Sequence, residues 1–181
     1  MKIILVRHGE SEHNAGLVQG LDTNLTKKGE NQARLLGKKL KKEKISEIYT
    51  SNLKRAKQTA RIISKEINVP VKEGFKELGE YSFKHLTSKL KGIFSARRKK
   101  LKIFLKEIIK NRERDKTILI VAHGRTNRII MGSLLEIPIK KQLMFLQQHN
   151  TCVNLISWDN HYKNWVLESM NDLSHIPKEL K

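Results

Sequence analysis

Cysteine occurs once in the 181 residues, at Cys152. A chain with one cysteine cannot close an internal disulfide, so a reducing compartment, most simply the cytoplasm, is the expectation. No run of consecutive apolar residues exceeds five, far short of the ~20 that a spanning helix needs, and a membrane partner is not expected. The first apolar run opens at Ile3, which leaves no room for a signal peptide ahead of it. Acids are scarce: 18 Asp and Glu stand against 37 Lys and Arg, a formal charge of +19. Such a field draws polyanions, whether nucleic acid, anionic membrane or phosphorylated substrate. A composition biased toward Lys, Ile and Asn produces the same excess without a function. There is no Cys pair and no helical His-x-x-x-His, so His8, His13, His123 and Glu10 do not read as a metal site. A Walker-type phosphate loop is missing too, as are repeats and linkers, and the length fits one domain over 1–181.

What is present begins with Ile3-Ile4-Leu5-Val6, an apolar run of the kind a strand buried on both faces requires. It stops abruptly at Arg7-His8-Gly9. A strand ending there presents Arg7 and His8 beyond the carboxyl edge of a sheet, where open α/β sheets bind ligands. Gly9 reads as the residue that lets the chain turn. The pattern returns at Thr117–Ala122, a second apolar strand followed by His123-Gly124. Two histidines at the carboxyl ends of two parallel strands can meet across one pocket.

Between them, Thr26 is a plausible helix N-cap, and Ala33, Leu36 and Leu40 recur at helical spacing up to about Glu43. Ile45–Tyr49 reads as a strand and Ala56, Ala60, Ile63 and Ile67 as the stripe of a helix. Arg55 falls in that helix's first turn, where the dipole disfavours a cation; an anion opposite it explains the choice. Val71–Glu73 reads as a short strand. From Thr87 to Asn111 an apolar stripe (Leu90, Ile93, Phe94, Leu101, Phe104, Leu105, Ile108, Ile109) marks a long helix that Gly92 and Ser95 can kink or divide. Between Lys84 and Lys116 there are thirteen Lys or Arg and three acids. The Arg97-Arg98-Lys99-Lys100 cluster is either a solvated face or a clamp for an anion. A helix follows His123 through Leu135, and Val153–Trp158 with Trp165–Ser169 read as an antiparallel pair at the sheet edge.

The string Arg7-His8-Gly9-x-Ser11-x-x-Asn14 resembles the signature R-H-G-x-[ST]-x-x-N of the histidine phosphatase superfamily, the phosphoglycerate-mutase-like proteins. Gly20-x-Asp22-x-x-Leu25-Thr26-x-x-Gly29-x-x-Gln32-Ala33 resembles its second block, Ser51-x-Leu53-x-Arg55-Ala56-x-Gln58-Thr59-Ala60 its phosphate-binding helix, and Val121-Ala122-His123-Gly124-x-x-x-Arg128 its second histidine motif. Arg125 stands where that motif usually has a small residue. Asn171-Asp172-x-x-His175-Ile176 is similar to a tail common among small-molecule phosphatases. The family's acid motif is decayed here: Glu77 falls on the acid position with Leu86-Thr87 in register, but Tyr81 and His85 replace two glycines, and Glu80 is a rival.

The resemblance covers nearly the whole chain and thins between Tyr81 and Lys116. It implies a three-layer α/β/α sandwich with a mostly parallel sheet, a single domain with about 84–116 as a basic helical insertion or lid. It also implies His8 as nucleophile and Glu77 as general acid, with Arg7, Arg55, His123 and Asn14 holding phosphate and Thr26, Gly124 and Arg125 beside them. Guanidinium forks suit that work because they grip phosphate bidentately and stay charged. No metal or cofactor is called for. The activity so implied is hydrolysis of small phosphate monoesters through phosphohistidine. A bisphosphoglycerate-dependent phosphoglycerate mutase is the alternative, and a non-catalytic module for phosphoanions or nucleic acid a remoter one. The substrate and the oligomeric state are not readable.

Overall fold

The computed structural model of the protein describes residues 1–180 other than 21, 82–87, 112–113, 139–140 and 143–146; within 88–94 it describes the backbone only. His85, Leu86 and Thr87, and the side chains of Leu90, Ile93 and Phe94, therefore lie outside the described residues. Six strands, β1 (Lys2–Arg7), β2 (Ile45–Ser51), β3 (Val71–Phe75), β4 (Thr117–Ala122), β5 (Val153–Asp159) and β6 (Asn164–Asp172), form one sheet in the order β3-β2-β4-β1-β5-β6. The first four in that order run parallel. β5 joins β1 antiparallel and β6 joins β5 antiparallel, so the predicted hairpin forms the sheet's edge.

Among the described residues four helices, α1 (Lys27–Leu40), α2 (Lys54–Ile67), α3 (Ser88–Ile108) and α4 (Gly124–Leu134), cover the two faces. Ile4 and Val6 pack with Leu36, Leu40, Ala56, Ala60 and Ile63 of α1 and α2. Ile3 and Leu5 pack on the other side with Leu101, Leu105, Ile129, Ile130 and Leu134 of α3 and α4. Because alternate side chains of a strand face opposite ways, both sets must be apolar, which accounts for the unbroken runs in β1 and β4.

Local signals set most boundaries. The Thr26 side chain accepts from the Gly29 amide and caps α1, which stops at Leu40 rather than near Glu43. α2 ends with Asn68 in the left-handed region, φ 56°. α3 runs unbroken through Gly92 and Ser95, so neither divides it. β3 continues past Glu73 through an irregularity at Gly74, φ 91°, where the register against β2 shifts. Among the described residues no helix is long and apolar enough to cross a membrane.

Candidate active site

The site follows from strand register. Arg7 pairs with Ala122 across the parallel β1–β4 ladder, so the next residues, His8 and His123, leave adjacent strands at the same level. The His8 amide donates to the Ala122 carbonyl at 3.0 Å, and the two imidazoles lie 5.0 Å apart, centre to centre. Both are essentially fully buried.

Their protons can be assigned from their partners. His8 Nδ1 lies 2.7 Å from the Gly9 carbonyl oxygen, which can only accept, so Nδ1 carries the proton. The Arg55 guanidinium, which can only donate, gives an Nε hydrogen bond to His8 Nε2 at 2.9 Å. His8 is thus a neutral imidazole whose Nε2 lone pair faces the arginine. The same guanidinium contacts His123 Nδ1 through Nη2 at 3.1 Å, which makes that nitrogen an acceptor too. His123 Nε2–H then donates to Ser51 Oγ at 2.9 Å. Burial, reinforced by His123, Arg55 and Arg7, holds His8 well below its ordinary pKa. Burial with Arg55, Arg7 and Arg97 does the same to His123.

Arg7 reaches back from the end of β1, its Nη1 donating to the Gln148 carbonyl at 2.7 Å. Its Nε is buried and has no partner among the described residues. Arg55 is buried in the first turn of α2. Gly124 opens α4 against the stem of Arg7, where a Cβ would sit 3.7 Å from Arg7 Cδ. Asn14 is exposed at the rim, where its Oδ1 accepts from Ser11 Oγ at 3.1 Å and Asn150 Nδ2 at 3.3 Å. Arg125 donates to the Tyr81 carbonyl at 3.2 Å and interacts electrostatically with Arg7 and Glu80. The Thr26 hydroxyl is engaged as the α1 cap and donates to Glu10 Oε1 at 2.9 Å.

The two candidate acids line one cavity and differ in their charged surroundings. Glu80 faces Arg125, Arg55 and Arg7, while burial outweighs their attraction and raises its pKa above the usual carboxylate range. Neither Arg7 nor Arg55 has Glu77 among its principal charge partners; Glu80 fills that position for both. Glu77 lines an adjoining cavity of about 440 Å³ together with Asn52, Lys76, Glu80, Arg97 and Lys100. Tyr81, at a family glycine, is buried, with the Arg97 guanidinium 4.3 Å over its ring. Arg97 Nη1 also donates to the Glu80 carbonyl at 2.9 Å.

Gly9 is needed for a reason other than the turn read from the sequence. Its φ is not in the left-handed region. A Cβ there would run into the Gly29 carbonyl, and one at Gly29 would run into the Glu10 backbone. The loop after β1 is pressed backbone to backbone on the start of α1. Ser51 heads the string that carries Arg55 but has no role assigned from the sequence, and Gln148, Asn150 and Asn154 are not singled out there; the polar run Gln147-Gln148-His149-Asn150-Thr151 just ahead of a buried strand is the signal that marks part of them.

Two neutral imidazoles, the buried Arg55 guanidinium, the half-buried Arg7 and a carboxyl raised by burial gather at the carboxyl edge of a doubly covered sheet, a concentration of positive charge of the kind that draws an anion. The profile of the histidine phosphatase superfamily (branch 1) matches residues 3–97 and 93–173, and the chain belongs to that superfamily. It is 28% identical to a protein named probable phosphoglycerate mutase GpmB of Photorhabdus laumondii, over 97% of this chain and 95% of that one. It is 47% identical over 73 residues to phosphoserine phosphatase 1 of Hydrogenobacter thermophilus, which covers 39% of this chain and 35% of the relative. The crystal structure of a phosphoserine phosphatase from Entamoeba histolytica in complex with 3-phosphoglyceric acid superposes with a TM-score of 0.77 at 28% identity, over 96% of this chain and 98% of that one.

Proposed function

We propose that this protein is a phosphatase that hydrolyses small phosphate monoesters through a phosphohistidine at His8. The observation that carries the reading is the His8 Nε2 lone pair, unprotonated and aimed at the Arg55 guanidinium at 2.9 Å. A neutral imidazole is a competent nucleophile, and burial among cations keeps it neutral. When a phosphoryl group enters, its oxygens replace the histidine nitrogens as acceptors for Arg55 and take the Nε donor of Arg7. Charge on the transferring group is then neutralised by groups already in position. Nε2 attacks phosphorus in line, the ester P–O bond breaks, and Glu80 gives its proton to the leaving oxygen. Water next attacks the phosphohistidine, losing a proton to Glu80, and phosphate departs with His8 restored.

Glu80 takes the acid role here in place of Glu77 because its carboxyl is the one coupled to Arg7 and Arg55. His123, with Nδ1 accepting from Arg55 and Nε2 turned to Ser51, holds the arginine in place and does not itself offer a proton to phosphate. Arg97 and Lys100 bring the basic α3 to the cavity beside the acids, which supports reading 84–116 as a lid that meets a second anionic group on the substrate. No step calls for a metal, and the lone, buried Cys152 suits the cytoplasm.

The full-length likeness to a protein named as a mutase keeps one other acceptor in play, a phosphoglycerate in place of water. Phosphate release from phosphoserine, 3-phosphoglycerate and an aryl phosphate, measured without bisphosphoglycerate, tests the proposal. Rapid, bisphosphoglycerate-dependent interconversion of phosphoglycerates that outruns phosphate release would make the protein a mutase.

A further inference from the structure

We infer that the segment 148–151 is a positioning strap for the Arg7–His8 pair, anchored by the buried amide pair Gln148–Asn154. On its inner side the strap touches the catalytic strand end at every residue but one. The Gln148 carbonyl receives Arg7 Nη1 at 2.7 Å. Asn150 Nδ2 donates to the His8 carbonyl at 3.0 Å and to Asn14 Oδ1 at 3.3 Å. The Thr151 amide donates to the Arg7 carbonyl at 3.0 Å, with His8 O at 3.3 Å.

The anchor lies beneath. Gln148 and Asn154, 4% and 0% exposed, exchange reciprocal amide hydrogen bonds of 2.8 and 2.9 Å. Asn154 Nδ2 also donates to the Leu5 carbonyl of β1 at 3.0 Å, and Asn154 Oδ1 accepts from the Asn171 amide of β6 at 2.9 Å. The C-terminal Asn-Asp-x-x-His string closes the outer side. Asn171 Oδ1 accepts from the His149 amide at 2.9 Å, and His175 Nε2 lies 3.3 Å from Thr151 Oγ1.

A buried amide costs free energy unless it is satisfied, and an apolar pair would fill the same space without that demand. Retaining polar groups here orients the backbone, since each hydrogen bond fixes a direction that apolar packing leaves free. Arg7 has many rotamers, and holding one Nη on a fixed carbonyl presets the fork so that Nε meets the ligand. A misplacement of order 1 Å at a phosphate-gripping group costs about 10²-fold in rate.

The inference rests on the phosphatase reading, and its test has a limb that does not. Gln148→Leu and Asn154→Leu, made singly and together in the full chain, are compared with the parent on an aryl phosphate. Each single variant should lose about 10²-fold in kcat/KM and bind inorganic phosphate more weakly. The acid limb of its kcat/KM–pH profile should move upward. That direction follows from the groups facing His8: His123 from β4, Arg55 from α2 and Arg7 from its own strand all suppress its protonation, and a slack Arg7 suppresses it less. The double variant leaves neither amide half-paired and should recover part of the thermal stability that each single variant loses, the Leu5 carbonyl and Asn171 amide still lacking their partner, without recovering kcat/KM, phosphate affinity or the pH limb. If Gln148→Leu does not fold, Asn150→Ala at the partly exposed end of the strap should still weaken phosphate binding. Variants that lose stability while keeping phosphate affinity and the pH limb, or a double variant that regains full activity, overturn the inference. If no ester is turned over at all, the phosphatase reading fails while phosphate affinity still decides the strap.

Discussion

Replacing Glu80 by Gln removes the proposed proton donor while keeping the side chain's size and its place opposite Arg125, Arg55 and Arg7. General acid catalysis contributes about 10²–10⁴-fold, or about 2.7–5.4 kcal/mol of barrier, when the leaving oxygen needs a proton. The full loss should therefore fall on an alkyl ester such as phosphoserine. A nitrophenolate leaves unassisted, so an aryl phosphate should slow by no more than about tenfold. The structure adds two further signatures. Above its raised pKa Glu80 is an anion that competes with phosphate for the three arginines, so at that pH KM should fall or hold in Glu80→Gln. Because burial raises the Glu80 pKa, the carboxyl stays protonated to higher pH than an ordinary glutamate, and the parent's kcat should decline as pH rises through that raised value. In Glu80→Gln that alkaline decline should disappear. The assay is steady-state phosphate release on the two esters across pH, with Glu77→Gln beside it. Equal slowing of both esters, or the leaving-group-selective pattern in Glu77→Gln instead, would refute the assignment.

His8→Ala should lose on the order of 10³-fold or more in kcat and give no acid-labile phosphoenzyme with labelled substrate, while its circular dichroism stays native. Gly29→Ala should cost about 1–3 kcal/mol, seen as a lower urea midpoint with activity reduced, because the new Cβ meets the Glu10 backbone; an unchanged midpoint would show that this backbone contact yields freely. Stability should fall as pH is lowered from about 6.5, because unfolded histidines bind protons there while buried His8 and His123 do not, and His175, pushed down to about 4 by burial, extends the decline toward that value. Urea unfolding at pH 7 and pH 5 reads this directly, and equal free energies at the two would contradict the buried neutral histidines.

What could be read along the chain was what local physics dictates. Ile3–Val6 and Thr117–Ala122 announce strands because a strand covered on both faces has no polar positions, and the Arg-His and His-Gly steps at their ends announce a ligand edge. Thr26 marks the start of α1 because its side-chain oxygen can satisfy one of the helix's orphan amides, that of Gly29. Arg55 stood out as a cation where a helix dipole disfavours one. Tertiary structure decided the rest, since it depends on groups far apart in sequence. The proton positions of His8 and His123 follow from Arg55, 47 and 68 residues away. Which carboxyl faces the arginines depends on how the loop after β3 folds over them, and spacing to an altered motif could not say. Gly9 is small because Gly29 presses on it, a constraint invisible in either local string. The strap that holds Arg7 lies 141 residues along the chain, built from Gln and Asn whose side chains have no periodicity to betray them. Hydrophobic patterning is written residue by residue; hydrogen-bond direction exists only once the partners have been brought together.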